Sequence, residues 1–361
     1  MSRIHRLRHA ALGITVALLL SACATRAPFK PAAPQAPVQQ APQAAPQLSP
    51  QMAAAADTLT RMAALQERLY HVAAPLLIDN AELCKTHARS LLGFTAKNRY
   101  SYPGEYNEAA HIAFGMDERL QVTEVLAGSG AAHAGLKVGD GLVSAGGKPL
   151  PTGRHALSGA GTIFAPLVAS QASLPLTIER NGANRQLTIP VTRACAYSIE
   201  LGNADNVNSY ADGNRVMVTR GLIEFTRNDD ELAYVLATGL AHNVLGHAAV
   251  QRNSATIGSI IDNLIRVKPD DSMLIGSGGI KAMPAEMDAA ADKLAVYMLA
   301  RAGYSIDGDD DFWKRLAAAH PATVLNGYMA NHPGIDARVA AINKAVAEVK
   351  AKRSAKKPLV P

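Results

Sequence analysis

Beyond its first two dozen residues, this 361-residue chain has no stretch long and apolar enough to cross a bilayer, which excludes a transmembrane helix there. A strong charge of one sign is also lacking. The formal balance is +6, and it falls to +3 once Arg3, Arg6 and Arg8 of the leading segment are set aside, too mild to call for a nucleic-acid partner. Aromatic residues are few, at 5%, although the apolar share of 48% is ordinary for a folded protein. The length allows two domains with real cores. The remaining basic residues gather partly at the end, at Lys350, Lys352, Arg353, Lys356 and Lys357. Residues 351–361 are therefore expected to be a solvated basic tail.

The three leading arginines precede an apolar run, residues 10–20, that is too short to span a membrane and reads as a signal peptide covering 1–22. Residues 20–23 read Leu-Ser-Ala-Cys, which resembles a bacterial lipobox. That resemblance implies cleavage before Cys23 and lipid on its sulfur and new amino group. A plain cleaved signal with a free cysteine is the other reading. The expected location is the bacterial cell envelope, facing the periplasm. Ala24, in place of the aspartate that retains lipoproteins in the inner membrane of enteric bacteria, favours the outer membrane by analogy. Residues 23–50 are almost all Pro, Ala and Gln, a composition that buries no core and acts as a tether.

Residues 51–101 are assigned to an N-terminal helical segment. Ser49 and Pro50 form a cap and first turn, and Leu59, Met62, Leu65, Leu69 and Val72 carry a helix to about His71. Residues 102–194 read as β-rich: 119–126 alternate like a strand, and 174–180 and 185–191 flank an Asn181-Gly182 turn as a hairpin does. Between them, a Gly-Ser entry, a short Ala-rich helix and Ala-Gly-Leu-Lys-Val-Gly-Asp at 134–140 resemble a PDZ domain. The resemblance implies an extended peptide or chain terminus added as a strand at a sheet edge. Ile112, Phe114 and Met116 around Gly115 are a candidate carboxylate loop, and a module packed on its neighbour without a free ligand is the alternative. Cys84 and Cys195 bracket this module, so a disulfide between them would staple its ends; two separate buried thiols are the alternative.

Residues 228–247 anchor the second domain, 195–350. Asn228 and Glu231 look like a capping box, and Leu232, Val235, Leu236, Leu240, Val244 and Leu245 recur at helical spacing. His242 and His247 are five apart, so on one straight helix they diverge by roughly 140° and do not share a face. His247 is expected at the helix end, facing solvent or a carbonyl. Residues 230–247 resemble the motif helix of the zinc metallopeptidases related to the CAAX prenyl protease and the bacterial envelope proteases HtpX and BepA, of gluzincin fold. Those enzymes place His-Glu-x-x-His where residues 238–242 read Thr-Gly-Leu-Ala-His.

Other matches extend the resemblance. Residues 208–213, Asn-Ser-Tyr-Ala-Asp-Gly, resemble the run before a hairpin whose edge strand lines the cleft, so Asn208 and Tyr210 are cleft candidates and 216–219 with 222–225 are the expected hairpin. Asp288, in a helix from Pro284 to Gly303, takes the place of the third zinc ligand, normally glutamate. Asp292 is expected to bond the motif helix. His332 and Arg338 take the places of a histidine near the metal and an arginine facing the active site. Residues 254–267 and 275–280 form an irregular segment that covers the cleft or connects.

Zinc hydrolysis of a peptide needs three protein ligands, an open position for water and a base. Thr238 and Gly239 replace the first histidine and the glutamate base, so no catalytic pair is intact. His242, Asp288 and His332 remain as candidate metal ligands, and zinc is expected to be absent or weakly bound. The expected fold is α+β: a helical gluzincin-like metallopeptidase domain with a small sheet, and a β-rich PDZ-like domain. The leading expectation is a pseudoenzyme, a lipoprotein that binds peptide segments or partner proteins for quality control or scaffolding. A weak or unconventional zinc metalloendopeptidase is the alternative, and a purely structural lipoprotein is a third reading.

Overall fold

Ser49 caps the first helix, α1 (Pro50–Asp79), its side chain accepting from the Met52 N–H, in a computed structural model that describes residues 48–248, 282–324 and 327–361. The signal peptide, Cys23, nearly all of the tether and the segments 254–267 and 275–280 lie outside the described residues. Helix α1 runs past the expected end near His71 and continues through Pro75. Val72, Leu76 and Leu77 on its last turns are buried in the core. Burial of such side chains contributes about 1.5 to 3 kcal/mol each, which offsets the roughly 3 kcal/mol that an internal proline costs. Asn80 ends the helix, its Nδ2 donating to the carbonyls of Leu76 and Met298, each at 3.0 Å.

Next come β1 (Ala88–Leu91), β2 (Phe94–Lys97), α2 (Tyr106–Phe114), β3 (Gln121–Val125), α3 (Gly130–His133) and β4 (Gly141–Ala145). After them follow β5 (Lys148–Pro149), α4 (Ala156–Ser170), β6 (Ser173–Arg180) and β7 (Ala183–Pro190). The antiparallel order β2-β3-β4-β6-β7, with β5 paired to β4, makes one sheet over a core that includes Val122, Leu142, Phe164, Leu176 and Ile178. The β6–β7 hairpin turns at Asn181 (φ 54°) and Gly182 (φ 73°), the two positive values of a type I′ turn. Asp140 of the Gly-Asp pair is buried and accepts from the Lys137 N–H and from Arg180 Nε and Nη2.

Two expectations change here. The sheet's first strand, β2, lies ahead of residue 102, because β1 and β2 are too short to show alternation. Residues 112–116 are not a loop on the sheet edge; they end α2, whose N–H to C=O ladder is closed by Gly115 at φ 65°. Strand β1 pairs antiparallel with β8 (Thr192–Cys195), and a disulfide joins Cys84 to Cys195, with their Cα atoms 5.5 Å apart. Closing a loop of this size stabilises by about 4 to 5 kcal/mol in the chain-entropy model.

The remainder holds β9 (Ser198–Gly202), β10 (Ser209–Ala211), β11 (Arg215–Thr219), α5 (Arg220–Phe225), α6 (Asp229–Val244), α7 (Ala285–Arg301), α8 (Asp309–Ala319), α9 (Tyr328–Asn331) and α10 (Ile335–Ser354). The small sheet has the order β10-β11-β9, with β10–β11 antiparallel and β11–β9 parallel. Residues 222–225, expected as a hairpin strand, are helical instead. Thr219 caps α5, accepting from the Leu222 N–H, and Gly221 sits so close to Asp205 that a Cβ there would lie 2.0 Å from its carbonyl oxygen. One core joins the second half of α1, this sheet and helices α5 to α10, whereas Ala55 and Leu59 on the first turns of α1 pack with Ala109, Ala110 and Met116 at α2.

The C-terminal tail also departs from a wholly solvated one. Helix α10 continues to Ser354, Lys352 Nζ lies 4.7 Å from the Tyr297 ring centre and donates to the Val360 carbonyl, and Leu359 packs on the core. The fold is α+β, and no described helix is long and apolar enough to cross a membrane.

Candidate active site

Helix α6 brings the candidate residues inside. Asn228 Oδ1 accepts from the Glu231 N–H at 2.9 Å, and Asp229, Asp230 and Glu231 place negative charge on the first turn, where the helix dipole favours it. Every residue from 232 to 243 is buried. Asn243 fastens the far end to the β10–β11 turn, its Oδ1 accepting from Gly213 N–H at 2.6 Å and its Nδ2 donating to the Arg215 carbonyl at 2.9 Å.

His242 meets Asp288 of α7 and His332, the residue after α9. His332 Nδ1 donates to Asp288 Oδ1 at 2.7 Å, and His242 Nε2 lies 3.5 Å from the same oxygen. All three are buried, and each offers a ligand atom within 4.8 Å of the others. Burial, followed by the nearby His332, His247 and Arg338, pushes the His242 pKa well below the ordinary histidine value, so its imidazole is neutral at pH 7. Among the described residues, His242 Nε2 and Asp288 Oδ2 are buried without a hydrogen-bond partner. Two imidazoles and a carboxylate with open lone pairs fit a divalent cation.

His247 turns inward, against the sequence expectation. Helix α6 ends at Val244, and Gly246 (φ 73°) reverses the chain. The His247 N–H then donates to the His242 carbonyl at 3.0 Å, and the two Nδ1 atoms sit 2.9 Å apart. The 140° divergence holds only while the helix continues. Gly246, a favoured residue just past a helix end, was the signal in the sequence for this turn. Burial lowers the His247 pKa, although Asp288 raises it.

The positions of the missing motif residues are occupied otherwise. Thr238 is buried, and its hydroxyl oxygen has no partner among the described residues. At Gly239 a Cβ would lie 2.6 Å from Val216 Cγ1 and 3.1 Å from Cγ2, so β11 fills the space that a side chain at 239 would need. Val216 carried no sequence signal, because the contact arises only from the packing of α6 on the sheet.

Arg338 lies inside the helical body. It is fully buried and donates through Nε and Nη2 to the two Asp292 oxygens, each at 2.7 Å, tying α10 to α7. Asp292 thus bonds the last helix rather than α6. The guanidinium lies 3.9 Å from the centre of the Trp313 ring, and Trp313 stacks on Tyr328, which stacks on His332. Burial alone would lower the Arg338 pKa, but Asp292 more than offsets this and keeps it charged. Asn208 is buried and donates through Nδ2 to the Tyr210 hydroxyl at 2.8 Å, so this pair braces β10. Among the described residues, no strand pairs with the outer edge of β10.

A second site lies at the free edge of β2. A groove of about 820 Å³ runs between β2, α4 and the strand β9 of the small sheet. Leu92, Gly93 and Phe94 line it, with Gly93 at φ 78° and its carbonyl accepting from the Leu126 N–H at 2.8 Å. Among the described residues, the N–H groups of Leu92 and Gly93 have no backbone acceptor.

Residues 177–346 match the family model of peptidase family M48, and residues 83–157 match that of the PDZ domain. No curated protein matches the chain. Among solved structures, the HtrA3 PDZ domain bound to a phage-derived ligand aligns at 19% identity, covering 30% of this chain and 89% of that one, with a TM-score of 0.23. The motif helix, the third-ligand helix and the His-Pro segment all fall inside the first match, and β1, β2 and the Gly-Asp turn inside the second. Residues 177–346 are thus similar to peptidase family M48, and a PDZ-like region at 83–157 lies ahead of these metallopeptidase-like helices.

Proposed function

We propose that the chain is a lipoprotein of the bacterial cell envelope, anchored through Cys23 and facing the periplasm, with the outer membrane favoured. Its peptidase-like domain is catalytically inactive, and the two domains bind peptide segments or partner proteins for quality control or scaffolding. The observation that carries the loss of catalysis is Gly239 packed against Val216. General-base assistance is commonly worth about 10² to 10⁴ in rate, and here neither the base nor room for its side chain is present. The PDZ groove supports the binding half of the reading, because the Leu92 and Gly93 N–H groups that line it, without backbone acceptors among the described residues, suit a terminal carboxylate and β2 offers a free edge for strand addition. The test is cleavage of labelled casein by the full lipidated chain in detergent with equimolar zinc. No cleavage above a heat-inactivated control is expected, and zinc-dependent turnover refutes inactivity.

One observation favours a second reading, a weak zinc metalloendopeptidase. His242, Asp288 and His332 fit a cation, and bound zinc would supply a Lewis acid for a peptide carbonyl. In the first reading zinc is absent or weakly held. Calorimetric titration of zinc into the natural chain and into His242→Ala separates the two: nanomolar affinity lost in the variant, together with cleavage, selects the second.

A further inference from the structure

The groove beside β2 has two unlike walls. Toward α4 it is apolar, lined by Leu92, Phe94, Phe164 and Val168. The opposite wall is acidic, and part of it comes from the other domain: Glu124 of β3, Glu200 of β9 and the hydroxyl-bearing Tyr70 of α1. Glu200 is neutralised by Arg215 at 3.0 Å. Glu124 accepts a hydrogen bond from Thr123, and among the described residues it forms no ion pair. Burial, and then Glu124 and Glu200, raise the Tyr70 pKa, which places both carboxylates within electrostatic reach of that hydroxyl.

Pairing fixes which side of a bound strand meets which wall. Thr95 is opposite Glu124 and Phe94 opposite Val125, so on β2 and β3 the Thr95–Glu124 pair points away from the sheet core that Phe94 helps to cover. A strand added to the edge of β2 alternates in the same way. If its last side chain enters the apolar pocket at Phe164, its penultimate side chain faces Glu124.

We infer that the groove selects C-terminal segments with an apolar last residue and a lysine or arginine next to it, the cation pairing with Glu124 on a wall completed by the peptidase-like domain. This rests on the reading of the groove as a carboxylate-capturing peptide site. A half-buried charge pair gained on one side and a repulsion avoided on the other correspond to about a tenfold difference in Kd.

The experiment is fluorescence anisotropy with the full lipidated chain in detergent and three labelled decapeptides that differ only at the end: Lys-Val-COOH, Glu-Val-COOH and Lys-Val-amide. The expected order is Lys-Val-COOH about tenfold tighter than Glu-Val-COOH, with the amide weakest. In Glu124→Gln the Lys-over-Glu preference should collapse to about twofold while Glu-Val-COOH binding is unchanged or improved. Equal binding of acid and amide, or no binding of any peptide, overturns the groove reading and the inference with it. Carboxylate-dependent binding without a lysine preference in the natural chain, or with the preference intact in Glu124→Gln, overturns the inference alone. The natural chain gives the first comparison without any variant.

Discussion

Alanine normally stabilises an exposed helix interior relative to glycine by about 0.8 to 1 kcal/mol. At position 239 the sign should reverse. A Cβ there would meet Val216 Cγ1 at 2.6 Å, about 1 Å inside ordinary carbon contact, and both partners are locked, Gly239 in the buried stretch of α6 and Val216 in the middle of β11. Overpacking of this kind costs about 1 to 3 kcal/mol. Subtracting the propensity gain leaves Gly239→Ala destabilised by up to about 2 kcal/mol. In a Val216→Ala background the two methyl groups are gone, and the remaining Val216 Cβ at 3.5 Å is an ordinary contact. Gly239→Ala should then stabilise by about 0.5 to 1 kcal/mol, which gives a coupling of about 1 to 3 kcal/mol between the two sites. Trp313, the only tryptophan, is buried in the same core and stacks on Tyr328. Its fluorescence during urea unfolding therefore reports on this body, and the four chains of the cycle can be compared by midpoint. A Gly239→Ala chain more stable than the natural one, with Val216 in place, would refute the packing argument. It would also remove the reason why a glutamate at 239 cannot be restored alone.

Asp292→Asn should lower stability by about 3 to 5 kcal/mol, because it leaves Arg338 charged and buried without its partner; adding Arg338→Met should recover most of the loss in the same urea assay. Reduction of the Cys84–Cys195 disulfide should cost about 2 to 5 kcal/mol, read as a lower thermal midpoint in dithiothreitol that a Cys84→Ala, Cys195→Ala chain no longer shows. The neighbouring Tyr297 hydroxyl and then the Lys293 ammonium, 3.2 Å from its carboxylate, pull the Glu348 pKa down to about 2, against an ordinary 4.5. Its contribution is therefore present above pH 4.5 and lost as the pH falls toward 2, so Glu348→Gln should flatten the acid limb of stability between those values, and high salt should shrink the difference.

Much of the architecture was legible because it rests on local chemistry. Ser49-Pro50, Asn228 with Glu231, and Asn181-Gly182 each specify a cap or turn within a few residues, and the structure holds a cap or turn at each. Asp288 and His332 were reached through the resemblance of the segments around them to a metallopeptidase motif, and the structure brings the two together with His242. Features set by tertiary packing were not legible. The periodic run that ends near His71 does not show that α1 continues through Pro75, which the burial of Val72, Leu76 and Leu77 around it allows. Residues 222–225 read as a strand until the cap at Thr219 and the close approach of Gly221 to Asp205 are seen. His247 differs for another reason: the divergence of roughly 140° along α6 lasts only to Val244, and Gly246 then turns the chain back.

The residues that remain and those that are replaced divide by physical role. Asp292 with Arg338, Asn243 with the β10–β11 turn, and Asn208 with Tyr210 hold α6, α7, α10 and the small sheet together through buried hydrogen bonds. Loss of any one would leave an unsatisfied polar group in the core, at about 1 to 3 kcal/mol or more where a charge is involved. Thr238 and Gly239 have no such duty: the buried Thr238 hydroxyl has no partner among the described residues, and Gly239 lets α6 pack directly onto Val216. His242, Asp288 and His332 stand between these groups: they have ligand chemistry, yet the His332–Asp288 and His242–His247 hydrogen bonds also give them a structural use. The two uses can be separated. A chain that needs the trio only for its fold should tolerate His332→Gln, which can keep a donor near Asp288, with little loss of stability and no change in zinc affinity. A chain that uses the trio for metal should lose zinc affinity by at least tenfold in the same variant.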